Sequence, residues 1–367
     1  IPVQYTRKQI FEFAESELLA IENELKVPGS NEYGRVDRVA GWFLLARMYL
    51  NAQTWINENK YQEAYIYATK VIADGHYPLA SDYREIFLAD NNTCKEIIWP
   101  LVQDGLRAQS SAGTNFYVKA FVNGPMDELY KTGVGSRGWG NVRAKVSLVD
   151  AFDADDVMFD GNDTWGNNKK DKRAQFMTAL PNQVKDTWDV NMDMTSTFTC
   201  GYGYIKWRNV TKEDELSASG DAYTSIDFPL FRTADAYLMA AEAILRGASG
   251  TKSEALGYVN EVRTRAYMSG KYAKNGVRSD VSGEIGANEL DLDFLLLERQ
   301  KELASELIRR TDLIRFGKYT KGNNWDWKNG VRLGEDVDDK YNLFPIPESE
   351  LTNNPTLVQN DGYKVIK

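Results

Sequence analysis

Three glutamates set four residues apart inside an apolar helical repeat constrain this chain more than any other feature. Between Leu292 and Tyr319 it reads LDFLLLERQKELASELIRRTDLIRFGKY, with Leu292, Leu295, Leu296 and Leu303 at helical spacings and Glu298, Glu302 and Glu306 among them. Residues four apart share one helix face, so these carboxylates repel one another unless cations answer them. Arg299, Arg309, Arg310 and Arg315 stand in the same stretch, and a planar guanidinium holds a carboxylate through two parallel hydrogen bonds. The stretch therefore predicts a helix, its end and a turn locked together by ion pairs. At least two of Glu298, Glu302, Arg310, Asp312 and Arg315 are expected to be buried and mutually paired, because charges in an apolar helix are costly unless compensated.

Helical periodicity marks both ends of the chain. Thr6 is a candidate N-cap for a helix to Leu25, closed by Pro28-Gly29-Ser30-Asn31. A second helix, 35–52, places Val39, Phe43, Ala46 and Leu50 on one face, widened by Trp42, Leu45 and Tyr49. A third, 61–73, repeats Tyr61, Ala64, Tyr65, Ala68 and Ile72, and alanines at such spacings let antiparallel helices approach closely, as in tetratricopeptide-like pairs. The wide apolar face at Trp42 and Phe43 asks for partner helices from outside the chain. Helix returns near Arg232 after the start signal Asp227 and Pro229 and stops at Gly247; another spans 253–268, and a linker, 270–286, leads to the signature helix. Pro345, Pro347 and Pro355 keep the tail extended, with at most one turn at 348–351, and Phe344, Ile346, Leu351 and Leu357 are expected to pin it to the body.

From Tyr77 to Ser225 the periodicity fades into Gly, Asn, Asp and Ser between short β-like pieces at 97–99 and 202–207. So long an irregular stretch inside a folded chain points to binding loops with local structure of their own. The expected fold is mostly α: a tetratricopeptide-like helical scaffold, an α superhelix, with a loop-rich ligand-binding region containing short β pieces. Residues 1–76 form helical scaffold, 77–225 the loop-rich region, and 226–367 the C-terminal scaffold and extended tail of the same unit.

Several function classes recede on chemistry. The net charge of −9, without clustered Lys and Arg, argues against nucleic acid. No apolar run approaches the roughly 20 residues of a membrane-spanning helix. Cys94 and Cys200 cannot make a disulfide framework, although one bridge is formally possible. His76, the only histidine, reads as a turn or surface residue. Gly133, Gly135, Gly138 and Gly140 surround Trp139 instead of opening a helix with a lysine, so they form no phosphate loop, and no cofactor is expected. Glu298 and Glu302 point along one helix face, whereas glycoside hydrolysis needs two carboxylates facing across a cleft. Asp153, Asp155, Asp156 and Asp160 lack the Gly and distal Glu of an EF-hand loop, and no metal site is assigned.

The signature stretch closely resembles that of the SusD/RagB family, the surface glycan-binding lipoproteins of Bacteroidetes. FPLFRTADAYLMAAEAILRG, Phe228 to Gly247, and YNLFPIPESELTNNPTLVQNDGY, Tyr341 to Tyr363, carry the same resemblance in the family's order. It implies a non-catalytic protein that binds oligosaccharide or polysaccharide at the outer-membrane surface, held by an N-terminal lipid anchor as the lid of a SusC-like TonB-dependent transporter. The opening IPVQYTRKQIFEFAESELLAIENEL looks like an interior segment of the family, which places that anchor outside this chain. Many members carry glycine after the second Glu of the signature, whereas here Leu307 and Ile308 follow Glu306. GNNWDWKNGV, Gly322 to Val331, is similar to starch-binding members and makes an α-glucan the first expectation. A peptide-binding lid of a RagAB-type importer and a glycoside hydrolase are the rival readings.

Nine Trp, 20 Tyr and 15 Phe raise the aromatic share to 12%, more than a core needs where they fall in Gly- and Asn-rich segments. Sugars present apolar C–H faces and hydroxyl edges, so an aromatic ring beside Asn, Asp or Arg suits them. The candidates are Tyr117 with Asn115, Trp139 with Arg137 and Asn141, Trp165 with Asp163 and Asn167, and Trp325 with Trp327 near Asn323, Asn324 and Asp326. The resemblance implies an aromatic arc in starch-binding relatives that takes a Tyr and a Trp from this loop region. By order and spacing Tyr117 and Trp139 match them best.

Overall fold

Thr6 opens the first helix, α1 (Arg7–Ile21), with a capping box: its hydroxyl accepts from the Gln9 N–H while the Gln9 side chain reaches back to the Thr6 N–H. The structure is a computed structural model that describes residues 2–122, 127, 130–157, 169–178, 202–268, 281–322 and 325–364. Asp37 caps α2 (Arg38–Ile56), and α3 (Tyr61–Asp74) ends on Gly75 in the left-handed conformation. These helices pack on each other and on α5 (Thr233–Leu245), the small side chains of Ala46, Ala64, Ala68, Ala236, Ala240 and Ala243 lying at the contact. Among the described residues no helix is long and apolar enough to cross a membrane.

Within the chain, the face at Trp42 and Phe43 packs on a strand and on the end of the first helix. Phe43 is fully buried and stacked on Phe231, with ring centroids 4.6 Å apart. The Trp42 indole N–H donates to Glu22 at 2.7 Å. The partner missed was a strand: the start signal at Asp227 and Pro229 opens no helix but leads into β4 (Phe228–Arg232), from which α5 then departs. β4 pairs antiparallel with β1 (Ile97–Leu101), setting Leu101 opposite Phe228 and Ile97 opposite Arg232. A second two-stranded pair joins β2 (Phe176–Thr178) to β3 (Tyr202–Tyr204). A short helix, α4 (Thr114–Ala120), lies between β1 and β2.

The later scaffold consists of α6 (Lys252–Met268), α7 (Leu292–Leu303) and α8 (Arg309–Arg315). Glu298, Glu302 and Glu306 are buried and paired, yet none is answered by the four arginines of its own stretch. Glu302 accepts from Arg173 at 3.2 Å, from Arg232 at 2.6 Å and from Arg265. Glu298 accepts from Arg173 and Arg263, and Glu306 from Arg232 and Lys206. Glu96, next to β1, joins through Arg232 at 2.9 Å because the β1–β4 register sets the two side by side, and Asp171 binds Arg173 in the bidentate manner. Five carboxylates thus meet five cations, all buried, so the cluster is neutral and each acid keeps more than one donor.

The local arginines serve a second network. Arg299 bridges Asp235 at 2.8 Å and Asp312 at 2.9 Å, and Arg315 holds Glu242 through two bonds while also reaching Asp312 at 2.7 Å. The buried Asp312–Arg315 pair meets the sequence expectation. Arg310 stands apart, donating to the Tyr341 and Asn342 carbonyls and lying over the Phe344 ring at 4.3 Å. This cation–π contact and the backbone bonds hold the tail; Phe344 itself is 72% exposed, so it does not anchor by burial. The tail's helical piece, Glu348–Asn353, is slightly longer than the one turn expected.

Candidate functional site

The C-terminal carbonyls of a helix lack partners inside it, and in α4 they are taken by the glycine-rich loop. Trp139 N–H donates to the Lys119 carbonyl at 2.8 Å, and the Asn141 and Val142 N–H groups to the Ala120 carbonyl at 3.0 and 2.9 Å. Gly140, at φ +57°, lets the backbone fold back to make these bonds, and a Cβ on Gly133 would strike the Asn209 carbonyl at 2.5 Å. Asp127 tightens the same loop by accepting from the Val134 and Gly135 N–H groups. With its main chain bound on both sides, the loop presents the Trp139 ring, 39% exposed.

Trp139 and Tyr117 are joined through Phe116, a residue the sequence reading passed over. Phe116 is 41% exposed and lies 6.1 Å from Trp139 and 6.0 Å from Tyr117 between ring centroids. Tyr117 is half-buried: one side stacks on Trp207 at 5.4 Å, Phe228 lies at 5.9 Å, and burial pushes its phenol pKa up. Tyr117 and Phe116 line an open groove of about 630 Å³ with Leu101, Phe228, Leu230 and Leu307. Phe116 lay next to a chosen aromatic in a loop segment, and only its neighbour's inward stacking shows why it must turn outward.

The polar candidates divide. Arg137 is exposed and paired with Asp221 at 3.0 Å, and Asn141 is exposed beside Trp139. Asn115, expected at a ligand edge, is instead buried; it donates to the Ser110 carbonyl at 3.0 Å, and its own side-chain oxygen has no partner. As the second residue of α4 it faces the body of the protein, while Phe116 takes the outer face. Trp325 and Trp327 are half-buried in a different region, Trp325 lying 5.5 Å from Tyr319 and Trp327 adopting φ +63°. Trp165, with Asp163 and Asn167, lies outside the described residues, as do Asn323 and Asn324.

Among the described residues, the groups that could carry chemistry have structural surroundings. His76 is exposed and packs edge-on against Tyr77. Cys94 is a free, buried cysteine whose thiol burial pushes far above its ordinary pKa. Asp156 is buried and accepts from the Lys170 and Asp171 N–H groups, and among the described residues no cluster of three or more His, Cys, Asp or Glu could hold a metal ion.

Leu307, the residue standing where many members of the resembled family carry glycine, sits at φ +63° and is 74% exposed. A left-handed conformation costs a non-glycine residue about 1–2 kcal/mol, and little burial offsets it here. Leu307→Gly is expected to stabilise the fold by about 0.5–1 kcal/mol, the glycine's extra unfolded-state entropy taking back part of the gain. A urea midpoint that falls in this variant would contradict the strain reading.

The SusD family model matches residues 95–363. The starch-binding protein SusD of Bacteroides thetaiotaomicron is 32% identical over 394 aligned residues, covering 99% of this chain and 67% of that protein. SusD-like protein P25 of Formosa agariphila is 25% identical, over 90% of this chain and 59% of its own length. Among solved structures, a SusD-like protein from Bacteroides fragilis superposes with a TM-score of 0.67 at 21% identity, covering 98% of this chain and 72% of its own. Surface glycan-binding protein A from Bacteroides thetaiotaomicron, in complex with laminarihexaose, gives a TM-score of 0.64 at 22% identity, over 98% and 72%. The chain thus spans about three fifths to two thirds of the curated relatives just named, and shares the fold of the two solved structures through nearly all of its own length. With three sequence blocks, the helical scaffold and the family model in agreement, this chain belongs to the SusD family.

Proposed function

We propose that this protein binds polysaccharide without cleaving it, at the bacterial outer-membrane surface, and delivers it to a TonB-dependent transporter, with an α-glucan as the first ligand class. The observation that carries the reading is the run of contacting rings Trp139, Phe116 and Tyr117, two of them well exposed, beside Arg137 and Asn141. Rings supply the apolar platform and the polar neighbours the edge contacts that a glycan needs. The similarity to the starch-binding protein SusD supports the ligand class. Burial of Glu298 and Glu302 beneath arginines supports a binding role, since neither faces a cleft as an acid or base.

The test is affinity electrophoresis against a panel of polysaccharides, followed by calorimetry on Trp139→Ala. Loss of the ring is expected to weaken glucan binding on the order of tenfold, about 1.4 kcal/mol, while leaving the melting temperature nearly unchanged because Trp139 is partly solvated. Unchanged affinity would remove Trp139 from the site. The apolar groove lined by Leu101, Phe116, Tyr117 and Leu307 supports a second reading, a peptide ligand. Retention by peptides and by no polysaccharide in the panel would favour it.

A further inference from the structure

A cavity of about 320 Å³ lies against α7 and α8, with none of Trp139, Phe116 and Tyr117 in its lining, and its charged lining runs against the acidic balance of the whole chain. Lys145, Arg299 and Arg309 line it with one carboxylate, Asp312, and Arg299 is answered by Asp235 as well. Asp312 is already spent: Arg299 holds one of its oxygens at 2.9 Å and Arg315 the other at 2.7 Å. Arg309 is half-buried and donates to the Leu296 carbonyl at 2.9 Å and to Gln300 at 2.7 Å, both neutral acceptors. Among the described residues no carboxylate reaches it within 4.0 Å. Burial drags the Arg309 pKa down to about 10, Asp312 only partly opposing it, as follows for a cation whose charge is left unanswered.

The rest of the cavity is preorganised around this charge. Lys145 donates to the Asp326 carbonyl at 3.0 Å, while the Asp326 carboxylate is turned to the Ser147 N–H. Trp325, held against Tyr319, supplies an aromatic wall, and Leu303 and Leu313 an apolar floor. Ligand cavities run roughly 300–1,000 Å³, so this one suits a single sugar ring better than an oligosaccharide. A guanidinium with N–H donors to spare matches a carboxylate, and an indole matches the apolar face of a pyranose.

We propose that this cavity is a second binding site, independent of the Trp139 surface, that takes a carboxylated monosaccharide of the hexuronate class with its carboxylate on Arg309 and its ring against Trp325. The test is calorimetric titration with D-glucuronate and with D-glucose, which differ only in carboxylate against hydroxymethyl. The wild-type protein is expected to bind glucuronate at least tenfold more tightly than glucose. Arg309→Gln is expected to remove that preference, and Trp139→Ala to leave it intact, whatever becomes of glucan binding in the latter variant. Equal affinity for the two sugars in the wild type, or a preference that survives Arg309→Gln, would overturn the proposal. So would a preference that disappears with Trp139→Ala. Should Arg309→Gln fail to fold, Trp325→Ala carries the same test: glucuronate affinity is expected to fall about tenfold, and an unchanged value overturns the site.

Discussion

Glu302→Gln is expected to destabilise the fold by about 3–5 kcal/mol, the range for breaking a buried ion pair by removing one partner. The neutral amide would leave Arg173, Arg232 and Arg265 converging on a position without charge, all three buried. Arg232 also ties Glu96 and Glu306, so the loss propagates to the β1–β4 pair and to the turn after α7. The measurement is a urea midpoint, with Lys8→Met as the surface control. Lys8 pairs with Glu58 at 2.6 Å on the exterior, where water screens the charges, and its loss is expected to leave the midpoint unchanged. Equal effects from the two substitutions would mean that the internal network is a bystander to stability.

That network also marks the limit of what could be read from residues alone. Glutamates four apart in an apolar helix announce buried charge, because helix geometry is local and burial follows periodicity. Their partners are not local. Arg173 and Lys206 come from the loop-rich segment, Arg232 from the end of a strand, and Arg263 and Arg265 from a helix whose own apolar pattern is unremarked by its arginines. Only the pairing of β1 with β4 brings Glu96 to Arg232, and strand pairing between residues this far apart leaves no periodic trace. The nearby Arg299 and Arg315 were the obvious partners by distance along the chain, yet Arg299 leaves α7 on a different face from Glu298 and Glu302, and Arg315 follows the turn at 304–308; both meet Asp312, with Asp235 and Glu242 as their further partners. The same contrast holds at the surface site. Trp139 in a glycine-rich loop was legible as a presented ring, whereas the burial of Asn115 and the exposure of Phe116 depend on which face of α4 meets the body.

The protein is expected to unfold in acid between about pH 4.5 and pH 2, and the network sets that window. Burial alone would push the carboxyls of Glu302, Glu242 and Asp235 up, but the guanidinium groups around them win: Arg265, Arg232 and Arg173 around Glu302, Arg315 and Arg299 around Glu242, Arg299 and Arg47 around Asp235. Each is held down to about 2, from ordinary values of 4.5, 4.5 and 3.8. A folded-state pKa below the unfolded one means that the unfolded chain binds more protons in the interval, so the stabilisation is complete above about pH 4.5 and drains away as the pH falls toward 2. Each glutamate contributes on the order of 3 kcal/mol by this linkage, and a domain's whole stability is about 5–15 kcal/mol, so losing two or three such terms is enough to unfold it. Lys206 acts at the other end: burial lowers it to about 8 from 10.5 despite Glu306, so its contribution to stability rises with pH between those values and is flat in acid. Urea midpoints from pH 10.5 to pH 2.5 check both arms. Midpoints that stay level down to pH 3 would show that these carboxylates are not held by their arginines, and a Glu302→Gln variant should show a shallower acid slope than the wild type, because one of the titrating groups has been removed from it.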